Sequence, residues 1–315
     1  MTRTTVLCPI DFSEASRGAL RYAATIAEHF GARLVVLAVE DPFLTQALDL
    51  GTGVVWDPET TRRELARIGA DVIGAPRPSL AIEYDVAVGR PADKILRTSR
   101  MLRADLIVMS THGLTGMKKM FFGSTTERVL RETTVPVLAT HPVDPGPVTI
   151  EDARALVRRI LVPVDLSPES LHQVQVAKAL SQALSVPFVA VHVVEPLRSP
   201  FLTKARIPDI ELERMTRADD ALANLIATVP RQLHPEMIVT HGDPAQEISK
   251  AARDRQAGLV VIGLRGTDGT GPRMGSVTYR VLCLTPSLVL ALPPDPGIGT
   301  AGRATTSWAV PTVYK

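Results

Sequence analysis

Gly113, Gly116 and Gly123, with Ser124, Thr125 and Thr126 following, stand behind the apolar run Leu106–Met109 and ahead of a helical pattern. Phosphate oxygens are well met by main-chain N–H groups where the backbone approaches closely, often at positive φ, and glycine permits both. A helix start adds unpaired N–H groups and a favourable dipole. Gly113 would supply the turn, Gly123 the approach, and the three hydroxyls further donors. Charge-assisted hydrogen bonds contribute about 1.5–3 kcal/mol each, so a handful reaches micromolar affinity, about 8 kcal/mol. The same residues admit a purely structural role. Ser124 and Glu127 have capping-box spacing, so the hydroxyl can close its own helix, and Gly113 and Gly116 can be ordinary turn residues.

A second polar residue bears on the choice. Asp11 follows the apolar run Val6–Ile10. In a doubly wound parallel sheet the ligand crevice lies outside the carboxyl ends of the strands, where strand order reverses. If the first and fourth strands are neighbours there, Asp11 and the glycine loop face one crevice. The carboxylate could then accept from a ribose hydroxyl or a base amino group.

Other chemistries lack their residues. The chain has no G-x4-G-K-(S/T), no G-x-S-x-G and no H-E-x-x-H. Its seven histidines show no i,i+3 or i,i+4 pair, which argues against a dedicated metal site. His112 alone lies within the loop, as a turn residue or a ligand contact. Cys8 and Cys283 form no CxxC, and Cys8 reads as a small core residue. The near balance of 35 basic and 33 acidic residues gives no field for nucleic acid.

The elements that must hold these residues come from an internal repeat. TVLCPIDFS and RILVPVDLS place Pro9, Asp11 and Ser13 opposite Pro163, Asp165 and Ser167. VGRPADKIL matches HGDPAQEIS, ADLIVMSTHG matches AGLVVIGLRG, and GSTTERVL matches GSVTYRVL, in the same order and at nearly one offset. The chain is a tandem duplication. Its 315 residues suit about two domains, expected at 1–145 and 156–293. His141–Thr149 reads as the linker, and 294–315, rich in Gly, Pro and Thr, as a flexible tail.

In each copy apolar strands alternate with helical segments, which predicts an α/β fold: two five-stranded parallel sheets, doubly wound, with helices on both faces. In the first copy strands are expected over Val6–Ile10, Leu34–Val39, Ile82–Val88, Leu106–Met109 and Val135–Ala139. Helices are expected over Ser13–Phe30, Pro58–Ile73, Ala92–Leu102 and Thr125–Glu132, the first capped by Ser13 as Ser167 caps its counterpart. A short helix is expected at Ile150–Arg159. The composition, 45% hydrophobic and 22% charged, without an apolar run of ~18 residues or a leader-like start, predicts a cytoplasmic protein with no membrane partner.

The motifs also resemble a family. Ser110-x-x-Gly113, nine residues, then Gly123-Ser124 is similar to the G-x2-G-x9-G-(S/T) nucleotide motif of the universal stress proteins; LCPIDFS resembles their first-strand signature and VGRPADKIL their strand-to-helix turn. The resemblance covers both copies, roughly residues 3–140 and 158–292. It implies a Rossmann-like fold in tandem, related by a pseudo-twofold axis, with the last strands Val135–Ala139 and Ser287–Ala291 pairing. It implies ATP as ligand, with Mg²⁺ arriving only with the phosphates.

Carried over by position, Pro9, Ile10 and Asp11 would meet adenine and ribose, and Val39 would line the adenine pocket. Met109, Ser110, Thr111, His112 and Gly113 would wrap sugar and phosphates, with Gly116 in the loop. Gly123 to Thr126 would hold the phosphate chain. Ser110 departs from the motif, which has glycine there. In the second copy the counterparts are Pro163, Val164, Asp165, Val193, Ile262, Gly263, Arg265, Gly266, Gly275, Ser276, Val277 and Thr278. There eight residues, not nine, separate Gly266 from Gly275, and Arg265 replaces His112. The first site is therefore expected to be the tighter.

The implied function is ATP binding in stress response or signalling, through nucleotide-dependent conformation or partner choice, without catalysis. The expected partners are an adenine nucleotide and either a second copy, as a dimer, or another protein. A slow ATPase of the adenine-nucleotide α-hydrolase class and a ligand-free dimerisation module are the alternatives.

Overall fold

The computed structural model describes residues 4–42, 57–74, 79–111, 123–197, 207–227, 229, 235–264 and 274–294. It divides into two units, Met1–Leu156 and Val157–Lys315. The expected tail from residue 295 and the loop around Trp56 lie outside the described residues.

The first unit runs β1 (Thr5–Ile10), α1 (Glu14–His29), β2 (Arg33–Glu40), α2 (Pro58–Ile73), β3 (Ala81–Val88), α3 (Pro91–Leu102), β4 (Leu106–Ser110), α4 (Ser124–Glu132), β5 (Val137–Thr140) and α5 (Ile150–Val157). Its strands lie in the order β3-β2-β1-β4-β5, each neighbouring pair parallel. The second unit repeats the plan with β6 (Ile160–Pro163), α6 (Ser170–Leu184), β7 (Phe188–Val194), α7 (Ile207–Ile226), β8 (Glu236–His241), α8 (Pro244–Asp254), β9 (Leu259–Gly263), α9 (Ser276–Leu284) and β10 (Leu288–Leu292). Its order is β10-β9-β6-β7-β8, again parallel. The α/β class and the duplicated parallel sheet stand as the alternation required.

The sequence explains which strand is central. Every residue of β1 is buried, as are Leu34 to Ala38 of β2 and all of β4. A strand covered by helices on both faces needs an unbroken apolar run, which these are. Strand β3 is last in its order and only partly buried, with Val88 exposed. Its alternation is correspondingly blurred. Beneath the sheet α1 packs through Ala15, Ala19, Ala23, Ala24 and Ala27, whose small side chains let helix and strand approach closely.

Two local expectations are corrected. Strand β5 starts at Val137, two residues later than expected, because Pro136 has no N–H to give a ladder; its carbonyl still accepts from the Ile107 N–H at 2.9 Å. In the second copy Ser167 does not cap the first helix. Ser167 and Pro168 form a turn, closed by the Ser170 N–H on the Ser167 carbonyl at 3.0 Å, and α6 begins only at Ser170.

The segment His141–Thr149 is bound to α1 for much of its length. The Tyr22 hydroxyl donates to Asp144 Oδ2 at 2.7 Å, Arg21 Nη1 to the Pro145 carbonyl at 2.7 Å and Thr25 Oγ1 to the Pro147 carbonyl at 3.3 Å. Gly18 makes the seat, since a Cβ there would strike the Asp144 carbonyl oxygen. No helix among the described residues is long and apolar enough to cross a membrane.

Candidate functional site

The first and fourth strands of each copy are neighbours. Val6 and Leu7 register with Leu106 and Ile107, and Ile160 and Leu161 with Leu259 and Val260. The chain builds outward from β1 through β2 to β3, then returns to the other side for β4 and β5. Strand order thus reverses between β1 and β4, and the crevice rule places a ligand beyond their carboxyl ends. Asp11 follows β1 there, and Ser110 ends β4.

Asp11 is held in place locally. Its Oδ1 accepts the Ser13 N–H at 3.1 Å and the Ser13 hydroxyl at 2.6 Å. Ser13 Oγ in turn accepts the Ser16 N–H at 3.2 Å and so caps α1. One serine closes the helix and orients the carboxylate. Between them Phe12 adopts φ 66°, and in the second copy Leu166 adopts φ 62°. Left-handed backbone in a bulky residue costs about 1–2 kcal/mol, and the same turn recurs at the matching place in both copies. Asp165 keeps the Ser167 N–H at 3.0 Å but takes its hydroxyl from Ser170, at 2.9 Å.

At the opposite wall the head of α4 answers the capping question. Gly123 is the N-cap, with φ −59° and ψ 137°, and Ser124 is the first helical residue. No side chain among the described residues caps the helix, so the capping-box reading of Ser124 and Glu127 does not hold. Glu127 instead pairs with Arg131 at 2.5 Å. The second copy repeats this with Gly275 as N-cap, φ −60° and ψ 145°, again without a side-chain cap. Neither glycine is left-handed. Their use here is the missing side chain, which leaves the first-turn N–H groups approachable.

The three hydroxyls have different fates. Thr126 is buried and donates to the Ser110 carbonyl at 2.9 Å, tying α4 to β4. Thr278 does the same to the Gly263 carbonyl at 2.7 Å. Ser124 is exposed and Thr125 half-buried. The Gly123 N–H bonds the Thr111 carbonyl at 3.0 Å, and the Gly275 N–H bonds the Leu264 carbonyl at 2.8 Å. Each glycine is thus fixed to the chain just past its strand.

The remaining expected residues fall as follows. Pro9 and Ile10 are buried in register with Leu37 and Ala38, so Val39, half-buried, lies level with Asp11. Pro163 and Val164 are buried and Val193 is half-buried in the matching places. Met109, Ser110 and Thr111 are buried, as is Ile262. Ser276 is exposed and Val277 half-buried at the head of α9. His112, Gly113, Gly116, Arg265 and Gly266 lie outside the described residues.

Burial drives the Cys8 thiol far above its ordinary pKa. It stays a neutral core residue and offers no nucleophile beside the crevice. Among the described residues no group of three or more His, Cys, Asp or Glu is arranged to hold a metal.

Sequence reasoning missed two neighbours of the site. Arg128 Nη2 bonds Asp93 Oδ1 at 2.5 Å, and Arg280 Nη1 bonds Asp243 Oδ2 at 2.7 Å. The arginines were visible in the matched GSTTERVL and GSVTYRVL, but their acids were not, since those occupy different places in the repeat. His192 was also passed over. Its Nδ1 lies 2.9 Å from the Val164 carbonyl; a carbonyl only accepts, so Nδ1 carries the proton. The first copy has Ala38 at that place.

Comparison with known proteins agrees with this architecture. A model of the universal stress protein family matches residues 2–141 and again 157–293. A universal stress protein of Mycolicibacterium smegmatis is 26% identical over 305 residues, covering 90% of this chain and 96% of its own. One of Thermus aquaticus is 32% identical over 140 residues, 42% of this chain and 96% of that protein. The crystal structure of a universal stress protein from Archaeoglobus fulgidus covers 93% of this chain and 99% of its own, with a TM-score of 0.61 at 20% identity. That likeness speaks for the fold alone. The family model, by contrast, spans both copies and nearly the whole described chain, and this protein belongs to the universal stress protein family.

Proposed function

We propose that each copy binds ATP in the crevice between the ends of its first and fourth strands, and that the bound nucleotide governs conformation or partner choice in a stress response. The observation that carries this reading is the glycine N-cap of α4 and of α9. A helix start without a capping side chain leaves its first N–H groups to water or a ligand, at the positive end of the dipole. Serine or aspartate at the same place would close the opening at a gain of only about a few tenths of a kcal/mol, so leaving it open costs the fold little.

The residues suit the ligand. Ser124 and Thr125 offer hydroxyls beside the open amides, and Gly123 permits close approach of phosphate oxygens. Asp11, oriented by Ser13, stands across the switch point where a ribose or an adenine amino group would lie. Val39 supplies apolar surface for the base. Mg²⁺ would come with the phosphates and water rather than with protein ligands. The protein acts by binding, without turnover, in the cytoplasm, with a second copy or another protein as partner.

Mass spectrometry of the purified, undialysed protein tests the reading, followed by calorimetric titration with ATP. An adenine nucleotide should co-purify or bind with micromolar affinity. Absence of both results would end the proposal.

A further inference from the structure

Resting on that reading, we propose that Arg128 and Arg280 are positioning residues: each ties the helix that opens the phosphate site to the helix start that follows the third strand of its copy. Arg128, in the second turn of α4, reaches Asp93, the third residue of α3, and also Glu132 on its own helix at 2.9 Å. Arg280, in the second turn of α9, reaches Asp243, the residue immediately before α8.

The informative point is that the acids are not repeat equivalents. GRPADKI against GDPAQEI sets Asp243 opposite Arg90, and Asp93 opposite Gln246. The duplication has kept the pair while its acid sits at two different positions. Global stability is a poor reason for such rebuilding, since exposed ion pairs contribute little and all four side chains are more than a third exposed.

Orientation is the better reason. The head of α4 is fixed to its strand through the Thr126 hydroxyl. The Gly123 N–H on the Thr111 carbonyl anchors the same end, and a side-chain tie one turn on, to a different element, fixes the direction in which the helix leaves that anchor. Ser124 and Arg128 share a face at i,i+4 spacing, and a helical side chain leans back toward the N-terminus. The tie therefore acts on the turn whose N–H groups would meet phosphate. The same construction recurs at α9, where Thr278 and Arg280 supply the two ties.

The test uses the full chain and four versions of the first copy: wild type, Asp93→Asn, R90D/D93Q, which moves the acid to its second-copy position, and R90D/D93Q/R128Q. Hydrogen exchange is followed at Glu127, whose N–H makes the first bond within α4, without nucleotide; ATP affinity is read by titration. Asp93→Asn should speed exchange at Glu127 and weaken ATP about two- to fivefold, with the thermal midpoint nearly unmoved. Moving the acid should restore both, and removing Arg128 should undo the restoration. Unchanged exchange in Asp93→Asn, or a restoration that survives without Arg128, would overturn the assignment. If exchange responds as stated while even the wild type binds no ATP, the positioning role stands and the nucleotide reading falls.

Discussion

In the first copy the carboxylate behind the central strand takes its hydroxyl partner from Ser13, which also caps the following helix; in the second it takes it from Ser170, and no side chain caps α6. At the other wall the copies differ little: glycine N-cap, threonine strut to the strand carbonyl, arginine tie to the neighbouring helix. The comparison separates two demands. At the head of α4 and α9 the glycine, the threonine and the arginine recur at matching positions, while the acid that meets the arginine does not. The carboxylate only has to be aimed, and two serines at different distances serve.

Breaking the repeated feature should have the largest effect. Gly123→Asp sets a carboxylate at the open helix start, where it caps the helix and repels phosphate. ATP binding at the first site should weaken by about two orders of magnitude, or ~2.7 kcal/mol, and Gly275→Asp should do the same to the second. Titration of each variant reads the site that remains. If Gly123→Asp leaves a site of unchanged strength and number, the loop does not hold phosphate.

The differing wall is tested by Asp11→Ala and Asp165→Ala, each disabling one crevice. The protein keeping only the first site should bind about tenfold more tightly, a difference of ~1.4 kcal/mol. The reasons are the nine-residue spacing of its loop and the carboxylate fixed by the same residue that caps α1. A second site of equal strength would mean that loop length does not set affinity.

Thr126→Val and Thr278→Val probe the shared strut. Each removes one buried hydrogen bond to a strand carbonyl and should cost about 0.5–1.5 kcal/mol in denaturant unfolding, by similar amounts in the two copies. A large difference between them would show that one helix head is held by something else.

The smallest effect is that of pH on the arginine tie of the second copy. The hydrogen bond from Arg280 holds the Asp243 carboxyl below its ordinary range. Its contribution is therefore present above the unfolded value near ~3.9 and is lost as pH falls through the folded value. Asparagine also caps helices, so Asp243→Asn removes the charge and keeps the cap. The denaturation midpoints of wild type and this variant should differ slightly at pH 7 and converge toward pH 3. A gap that stays constant across the range would exclude the charge as its source.

Much of this was legible in the residues. The unbroken apolar runs of β1 and β4 announced central strands, and the repeat of Pro-x-Asp-x-Ser and of the glycines announced two copies of one fold. Other parts were hidden for physical reasons. Ser124 has the right spacing for a cap, but so has any serine followed by glutamate, and only the backbone angles of Gly123 decide between them. Phe12 gave no sign of its left-handed turn, because aromatic residues seldom adopt one. The Arg128 and Arg280 ties escaped notice because a contact between helices is specified by packing, not by spacing along the chain. Ser167 misled because a serine ahead of a proline is the common helix start, and here the turn it makes delays the helix to Ser170.

The pairing of β1 with β4 has a consequence for how each copy comes into being. The Thr5 N–H is bonded at 2.8 Å by Asp105, 100 positions along the chain, and everything between them must be made before that bond can form. While the polypeptide emerges, β1, α1 and β2 can assemble early from near neighbours, and Asp11 can already sit in its turn. The opposite wall does not exist until β4 docks, and its helix head only after that. Contacts so distant in sequence form late and slowly. On the proposed reading, a nucleotide would have nothing to grip in a half-made copy and would favour only the last stage of folding, by mass action on the closed form. The glycine helix head then marks a chain that has already joined β1 to β4.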